Sequence, residues 1–256
     1  MKKLVLLSVC SFVALNIYAQ EGYSDADPTA KKTGDKYGYV DKAGKPVGKC
    51  EYQSANPFRY SIASVQKDGK YGYINRKGIV IVPITYQFTG TAVEGRCRVE
   101  ANNKYGFMDT TGKIYIPLEY NDAADYSEGM AGVNKDDKLG FMNISGKLVI
   151  PMIYENAIVP YFSEGLVEVK TNDLYGYIDK AGTQVIAPAY KDAKSFHDGM
   201  AAVAKEEKFG YIDKKGQLLI PCQYDEAGDF YDGVANVSIG DKSFKIDKTG
   251  KEIKEE

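Results

Sequence analysis

The sequence predicts an all-β tandem repeat. The expected architecture is a row of three-stranded antiparallel meanders stacked as an open or superhelical array, with a six-bladed β-propeller as the alternative. Three observations carry this. The composition, with 21 Tyr and 26 Gly against no Trp and a single His, suits strands and turns. An aromatic or Leu, then Gly, then an aromatic recurs with its glycines at 38, 72, 106, 140, 176 and 210, intervals of 34, 34, 34, 36 and 34. Turn-forming residues recur at the same offsets in every copy, and a fixed period in this range marks a repeat architecture.

Each copy divides into three short strands. The first carries the motif, as in Tyr37-Gly38-Tyr39, Tyr71-Gly72-Tyr73 or Phe209-Gly210-Tyr211. It closes on Asp-x-x-Gly or Asn-x-x-Gly, as in Asp41 to Gly44, Asn143 to Gly146 and Asp213 to Gly216. Asp and Asn bond the backbone ahead of them and Gly takes positive φ, so these are hairpin turns. The second strand follows, as in Leu148-Val149-Ile150-Pro151, and proline is expected to end it because a residue without an N–H cannot continue a ladder.

A connection then runs through a Tyr and usually an Ala, as in Tyr120 with Ala123, and finishes on an acidic-Gly pair such as Asp198-Gly199. The third strand is Met130 to Val133 or Leu166 to Val169, and a polar turn leads from it into the next motif. Alternation puts Tyr37 and Tyr39 on one face and Gly38 on the other, while Ala131 and Val133 share a face. One face is bulky and the other small. Stacking should therefore set the tyrosines of one unit on the Gly and Ala surface of the next.

Residues 1–19 have the form of a secretory leader: Lys2 and Lys3, an apolar run from Leu4 to Ala14, and Ala19 before the expected cut. The apolar run is too short to span a bilayer. Residues 20–36 read as a polar leader, 37–251 as a single repeat domain of six full copies and a C-terminal half copy, and 252–256 as a tail. Cleavage removes two lysines and no acids, taking the formal charge from −2 to −4, so nothing electrostatic favours nucleic acid or an anionic membrane. Cys50, Cys97 and Cys222 remain, and an odd number allows at most one internal bridge.

The repeated elements resemble the bacterial WG-repeat family, whose unit runs Trp-Gly-aromatic-Ile-Asp-x-x-Gly-Lys, Ile-Pro, Tyr-x-x-Ala, Phe-x-x-Gly-Leu-Ala-x-Val. The likeness covers residues 36 to 251, with Tyr, Leu or Phe in place of Trp in every copy. It implies an extracytoplasmic or surface-associated β-repeat protein, and it carries over no catalytic site.

Catalytic chemistry finds little support in the residues. The lone His197 stands where other copies have Ser127, Ser163 and Tyr231, and reads as a solvated loop residue. No histidine-cysteine spacing suits zinc, and no serine sits in a nucleophile elbow. Asp41, Asp109, Asp179 and Asp213 recur because every hairpin needs the same turn, which argues against a calcium site or paired glycosidase carboxylates. Cys50 and Cys222 share one repeat position and read as small buried hydrophobes. No cofactor or metal is expected.

Residues that break the pattern are the candidate ligand contacts. Arg96 and Arg98 replace the Met, Leu or Gly of other copies, and Ile158-Val159-Pro160-Tyr161 forms the single insertion. Insertions in repeats map to loops on one face, often the binding face. Arg96, Arg98, Ile158 and Tyr161 are therefore expected to touch a protein, peptide or cell-wall saccharide. The expected function is that of a non-enzymatic binding or scaffold protein of the periplasm or cell surface, with an envelope polysaccharide hydrolase or a structural spacer as rivals.

Overall fold

A computed structural model describes residues 22–155 and 158–254. The expected secretory leader lies outside the described residues. The chain divides into two compact units, one reaching to Cys97 and including Asp109–Lys113, the other holding Arg98–Met108 and Ile114 onward.

The first unit opens with strands β1 (Thr29–Thr33), β2 (Lys36–Val40) and β3 (Pro46–Tyr52), paired in that order. Strand β1 falls in the stretch read as a polar leader and takes the place that a third strand holds in later sheets. The next sheet has the order β4 (Ser54–Ala55), β5 (Ile62–Lys67), β6 (Lys70–Asn75), β7 (Val80–Tyr86). Strand β8 (Phe88–Thr89) follows, and β9 (Arg96–Ala101) runs across the division between the units.

In the second unit β10 (Lys104–Asp109) pairs with β11 (Ile114–Tyr120). Four sheets come after. They are β12 (Asp122–Ala123) to β15, with β13 (Met130–Lys135), β14 (Lys138–Asn143) and β15 (Leu148–Tyr154); and β16 (Leu166–Thr171), β17 (Leu174–Asp179) and β18 (Gln184–Tyr190). Then come β19 (Asp192–Ala193), β20 (Met200–Lys205), β21 (Lys208–Asp213) and β22 (Leu218–Tyr224), and last β23 (Glu226–Ala227), β24 (Val234–Ile239), β25 (Lys242–Asp247) and β26 (Glu252–Ile253). Each is an antiparallel meander. The expected three strands are present, and in most sheets a two-residue strand around the connection alanine adds a fourth.

Sheet and sequence repeat are out of phase. Strands β13 and β14 pair through six residues, from Met130↔Asn143 to Lys135↔Lys138, so one hairpin joins the end of one copy to the start of the next. The same six-pair hairpin links β16 to β17, β20 to β21 and β24 to β25. The half copy at the C-terminus supplies β25 and β26, which complete the last sheet.

Proline does not end the second strand as expected; it marks a bulge within it. In β6 and β7, Tyr71 opposes Tyr86 and Tyr73 opposes Val82, so Gly72 alone faces Pro83, Ile84 and Thr85. A Cβ on Gly72 would stand 2.6 Å from the Val82 carbonyl oxygen and 2.9 Å from the Ile84 Cα. The motif glycine therefore exists to admit the bowed backbone of its own sheet, not to receive a tyrosine from the next. Proline suits the bow because the ladder is already broken there.

The other half of the stacking expectation holds. Phe107, Ile116 and Tyr120 form one core with Ala123, Tyr126, Ala131, Val133 and Met142. Leu139, Phe141 and Ile150 do the same with Phe162, Val167, Val169 and Ile178. Bulky faces rest on Ala and Val. The second motif aromatic also meets the connection aromatic edge-on, with centroids 4.9 Å apart for Tyr39 and Phe58 and 4.7 Å for Tyr211 and Phe230. Such pairs add about 0.5–1.5 kcal/mol each. Where that aromatic is Tyr, its hydroxyl donates to a backbone carbonyl 17 residues ahead, as Tyr177 does to Lys194 at 2.7 Å and Tyr211 to Gly228 at 2.8 Å.

The acidic-Gly pairs form tight hairpins with a second task. Glu164 and Gly165 have φ of 53° and 86°, and Ser163 and Leu166 exchange backbone hydrogen bonds across them. The Glu164 carboxylate then accepts from the Gly199 N–H at 3.1 Å, one copy further on. Glu128 accepts likewise from Gly165 at 2.9 Å and Asp198 from Gly233 at 2.8 Å. Lys180 pairs with Glu128 at 3.0 Å and Lys214 with Glu164 at 2.8 Å.

The turn aspartates serve their own turns. Asp179 Oδ1 accepts from the N–H groups of Ala181 at 2.9 Å and Thr183 at 2.8 Å, and Asp213 does the same for Lys215 and Gln217.

Replacing Gly176 by Ala tests the bulge contact, because its Cβ would lie 2.5 Å from the Ile186 carbonyl oxygen. The expected loss is about 3 kcal/mol or more in the urea unfolding free energy. Gly165→Ala, a turn glycine with open space around it, should lose only about 1 kcal/mol through its positive φ.

Candidate functional site

Two repeat positions change residue type from copy to copy. One is the third residue of the strand entering each motif, occupied by Ser64, Arg98, Gly132, Glu168, Ala202 and Asn236. The other precedes the connection aromatic, replaced by Ala92 in one copy, and holds Pro57, Thr91, Asp125, Tyr161, Ser195 and Asp229. In the second unit the fold brings these positions together, since Arg98 meets Asp125 and Glu168 meets Ser195.

Three of the four candidate contacts line one cavity of about 450 Å³. Arg98, Asp122, Asp125 and Ser127 make up its polar wall, and Ile158, Val159 and Tyr161 complete the lining. Ile158 is 80% exposed and Tyr161 45%. Arg96 is not part of this lining. It lies in the other unit, where it reinforces the effect of the Thr111 hydroxyl, the main cause that holds the Asp109 carboxyl below its ordinary range.

The polar wall is fixed from within. Arg98 Nε donates to Asp125 Oδ1 at 3.0 Å, its Nη1 donates to the Ala123 carbonyl, and its guanidinium stands 5.6 Å from the Tyr105 ring centroid. Asp122 Oδ1 accepts from the Ala123 N–H at 2.8 Å. Ser127 donates to the Phe162 carbonyl at 2.7 Å and ties the polar wall to the insertion. The insertion has a seat of its own. A Cβ on Gly132 would stand 2.5 Å from Val159 Cγ1 and 2.9 Å from the Pro160 oxygen, so this row carries glycine where the loop crosses it.

A second polar group gathers at Glu168, Ser195, His197 and Asp229. Burial pushes the Glu168 carboxyl up to about 7; the Ser195 hydroxyl opposes the rise, and the carboxyls of Asp229 and Asp192 add to it. His197 is not the solvated loop residue expected. Its ring lies 5.0 Å from that of Tyr231, and its buried Nε2 is 3.8 Å from Asp229 Oδ2. Burial first, then Asp229, Tyr161 and Asp198, raise the Tyr231 hydroxyl above its ordinary range, which places Tyr161 and Tyr231 in one neighbourhood.

Among the described residues no cluster of three His, Cys, Asp or Glu side chains is placed to hold a metal ion. No described helix is long and apolar enough to cross a membrane. The described cysteines are all unbridged. Cys97 is buried and Cys222 half-buried, but Cys50, expected inside, is exposed. It lies in the bulge under Gly38, whose Cβ would stand 2.9 Å from the Cys50 Cα.

Asp122 and Asp125 are site residues that the sequence reading did not single out. Asp122 has an acidic counterpart in Asp192 and passes for part of the repeat. The free variation at the Asp125 position was the available signal.

Comparison with curated proteins finds no match. Among solved structures, the fold is similar to that of a eukaryotic initiation factor, with a TM-score of 0.57 at 11% identity, covering 91% of this chain and 74% of that one. Hsv2 of Kluyveromyces lactis aligns with a TM-score of 0.48 at 13% identity over 74% of this chain and 70% of that one. At such identity the likeness to the initiation factor speaks for the fold alone. The family model described as "WG containing repeat" matches six times, at residues 37–71, 71–105, 105–138, 140–175, 175–209 and 209–242. These matches span most of the sequence, and the chain belongs to the WG-containing repeat family.

Proposed function

We propose that this chain is an exported, non-enzymatic binding protein of the bacterial envelope, and that the cavity between Arg98 and the 158–161 loop is its contact surface. The observation that carries the reading is the convergence of the pattern-breaking residues. Arg98 and the insertion that holds Ile158 and Tyr161 lie 60 residues apart in sequence, serve no repeat-wide packing role, and line one cavity. A repeat framework holds such a surface rigid, which lowers the ordering cost of binding.

A second reading, an envelope polysaccharide hydrolase, has one observation in its favour. Glu168, with a carboxyl near 7 beside the carboxyls of Asp229 and Asp192, has the pKa of a general acid. Against it, Glu168 is held by the buried Ser195 and does not line the exposed cavity.

Retention of the 20–256 chain on purified cell-wall sacculi and on immobilised envelope proteins tests the binding reading. Tyr161→Ala should weaken retention at least about tenfold, in line with an exposed aromatic anchor. Equal retention of the variant and the parent would place the contact surface elsewhere. Expression with the leader intact should yield a processed protein whose first residue is Gln20.

Glu168→Gln separates the two readings of the second cluster. No release of reducing sugar from sacculi should depend on Glu168. The raised carboxyl contributes stability that is fully present below about pH 4.5 and is lost as pH rises through about 7. The variant should therefore match the parent near pH 4 and be the more stable of the two at pH 8.5, by something on the order of 2 kcal/mol in urea denaturation.

A further inference from the structure

We infer that the Arg98–Tyr161 cavity takes a pyranose ring of an oligosaccharide rather than a peptide segment; the inference rests on the binding reading above and names its ligand class. Strand β12 lies at the edge of its sheet. A peptide that binds a sheet does so by adding a strand, through free N–H and C=O groups on the edge. At β12 those groups are already taken. The Ala123 N–H is held by Asp122 Oδ1 at 2.8 Å, and the Ala123 carbonyl is held by Arg98 Nη1. Recognition at this cavity therefore falls to side chains.

Those side chains are of two unlike kinds. One presents planar polar groups, the carboxylates of Asp122 and Asp125 and the guanidinium that pins Asp125. The other presents Ile158 and the Tyr161 ring, both open to solvent. A pyranose has the same two-sided chemistry, with a face of C–H groups and a rim of hydroxyls. Its C–H face suits the Tyr161 ring. Its hydroxyls can donate to the carboxylate oxygens of Asp122 and Asp125. A volume of about 450 Å³ lies within the range of small-ligand sites.

Two features show a built site. Carboxylates and guanidinium are fixed by hydrogen bonds before any ligand arrives, which preserves affinity that ordering would cost. Gly132 is the one glycine in its row and lies under the one insertion, so the backbone is cut away where the Tyr161 loop crosses.

The test is an array of bacterial oligosaccharides probed with the 20–256 chain, followed by calorimetric titration of the best trisaccharide and by saturation-transfer NMR on the same sugar. The expected result is millimolar or tighter binding with ring C–H protons saturated. Tyr161→Phe should retain it, while Tyr161→Ala and Asp125→Ala should each weaken it at least about tenfold with unchanged melting temperature. Absence of any array glycan that binds, or binding that Tyr161→Ala leaves intact, overturns the inference. If glycans fail while Tyr161-dependent retention on envelope proteins persists, the saccharide class is wrong and the binding reading stands. If no retention of any kind depends on Tyr161, both fall.

Discussion

The six-pair hairpin that joins the end of one sequence copy to the start of the next is the constraint on which the rest of the molecule depends. Its register, from Met130↔Asn143 to Lys135↔Lys138 in one instance, fixes which face every side chain takes, because a slip of one residue would exchange the faces. Ala131 and Val133 are thereby set against Phe107 and Tyr120, and Phe141 is turned the other way toward Val167 and Val169. The motif glycine falls opposite the bowed second strand, where nothing larger fits. Packing between sheets follows from pairing within them.

This arrangement leaves two rows in which no single residue type is required throughout. The third residue of each hairpin strand and the residue before each connection aromatic meet across consecutive sheets of the second unit, as Arg98 meets Asp125 and Glu168 meets Ser195, and the residue type at them differs from copy to copy. They therefore carry the polar and exposed groups: the Arg98–Asp125 pair, Glu168 with Ser195, Tyr161 and Asp229. Function in a repeat protein of this kind is expected where the copies disagree.

Much of this was legible in the residues. Glycine spacing gave the copies, Asp-x-x-Gly gave the turns, and the departures at Arg98, Ile158 and Tyr161 pointed to the cavity. Other features were not legible, for physical reasons. A proline without an N–H is equally at home at a strand end and in a bulge, so Pro83 and Pro151 could not by themselves distinguish the two. A two-residue strand such as Asp122–Ala123 is too short to show alternation. The burial of His197 depends on Tyr231 and Asp229, contacts a single sequence does not display. Arg96 broke the repeat as Arg98 did, yet it lies outside the cavity; a departure in pattern marks freedom from packing, not the direction of a side chain.

The central claim is that a sheet, built from two neighbouring copies, is the structural unit, and that the terminal half copy completes one. It is tested most directly by thermal unfolding of the 20–256 chain with residues 242–256 removed. That deletion takes β25 and β26 from the last sheet, leaves β24 paired only with the two-residue β23, and removes the buried Ile246. The account predicts a melting temperature at least about 10 °C lower, or an insoluble protein, from the loss of several kcal/mol. A melting temperature within about 2 °C of the parent would contradict it, and would make the half copy dispensable.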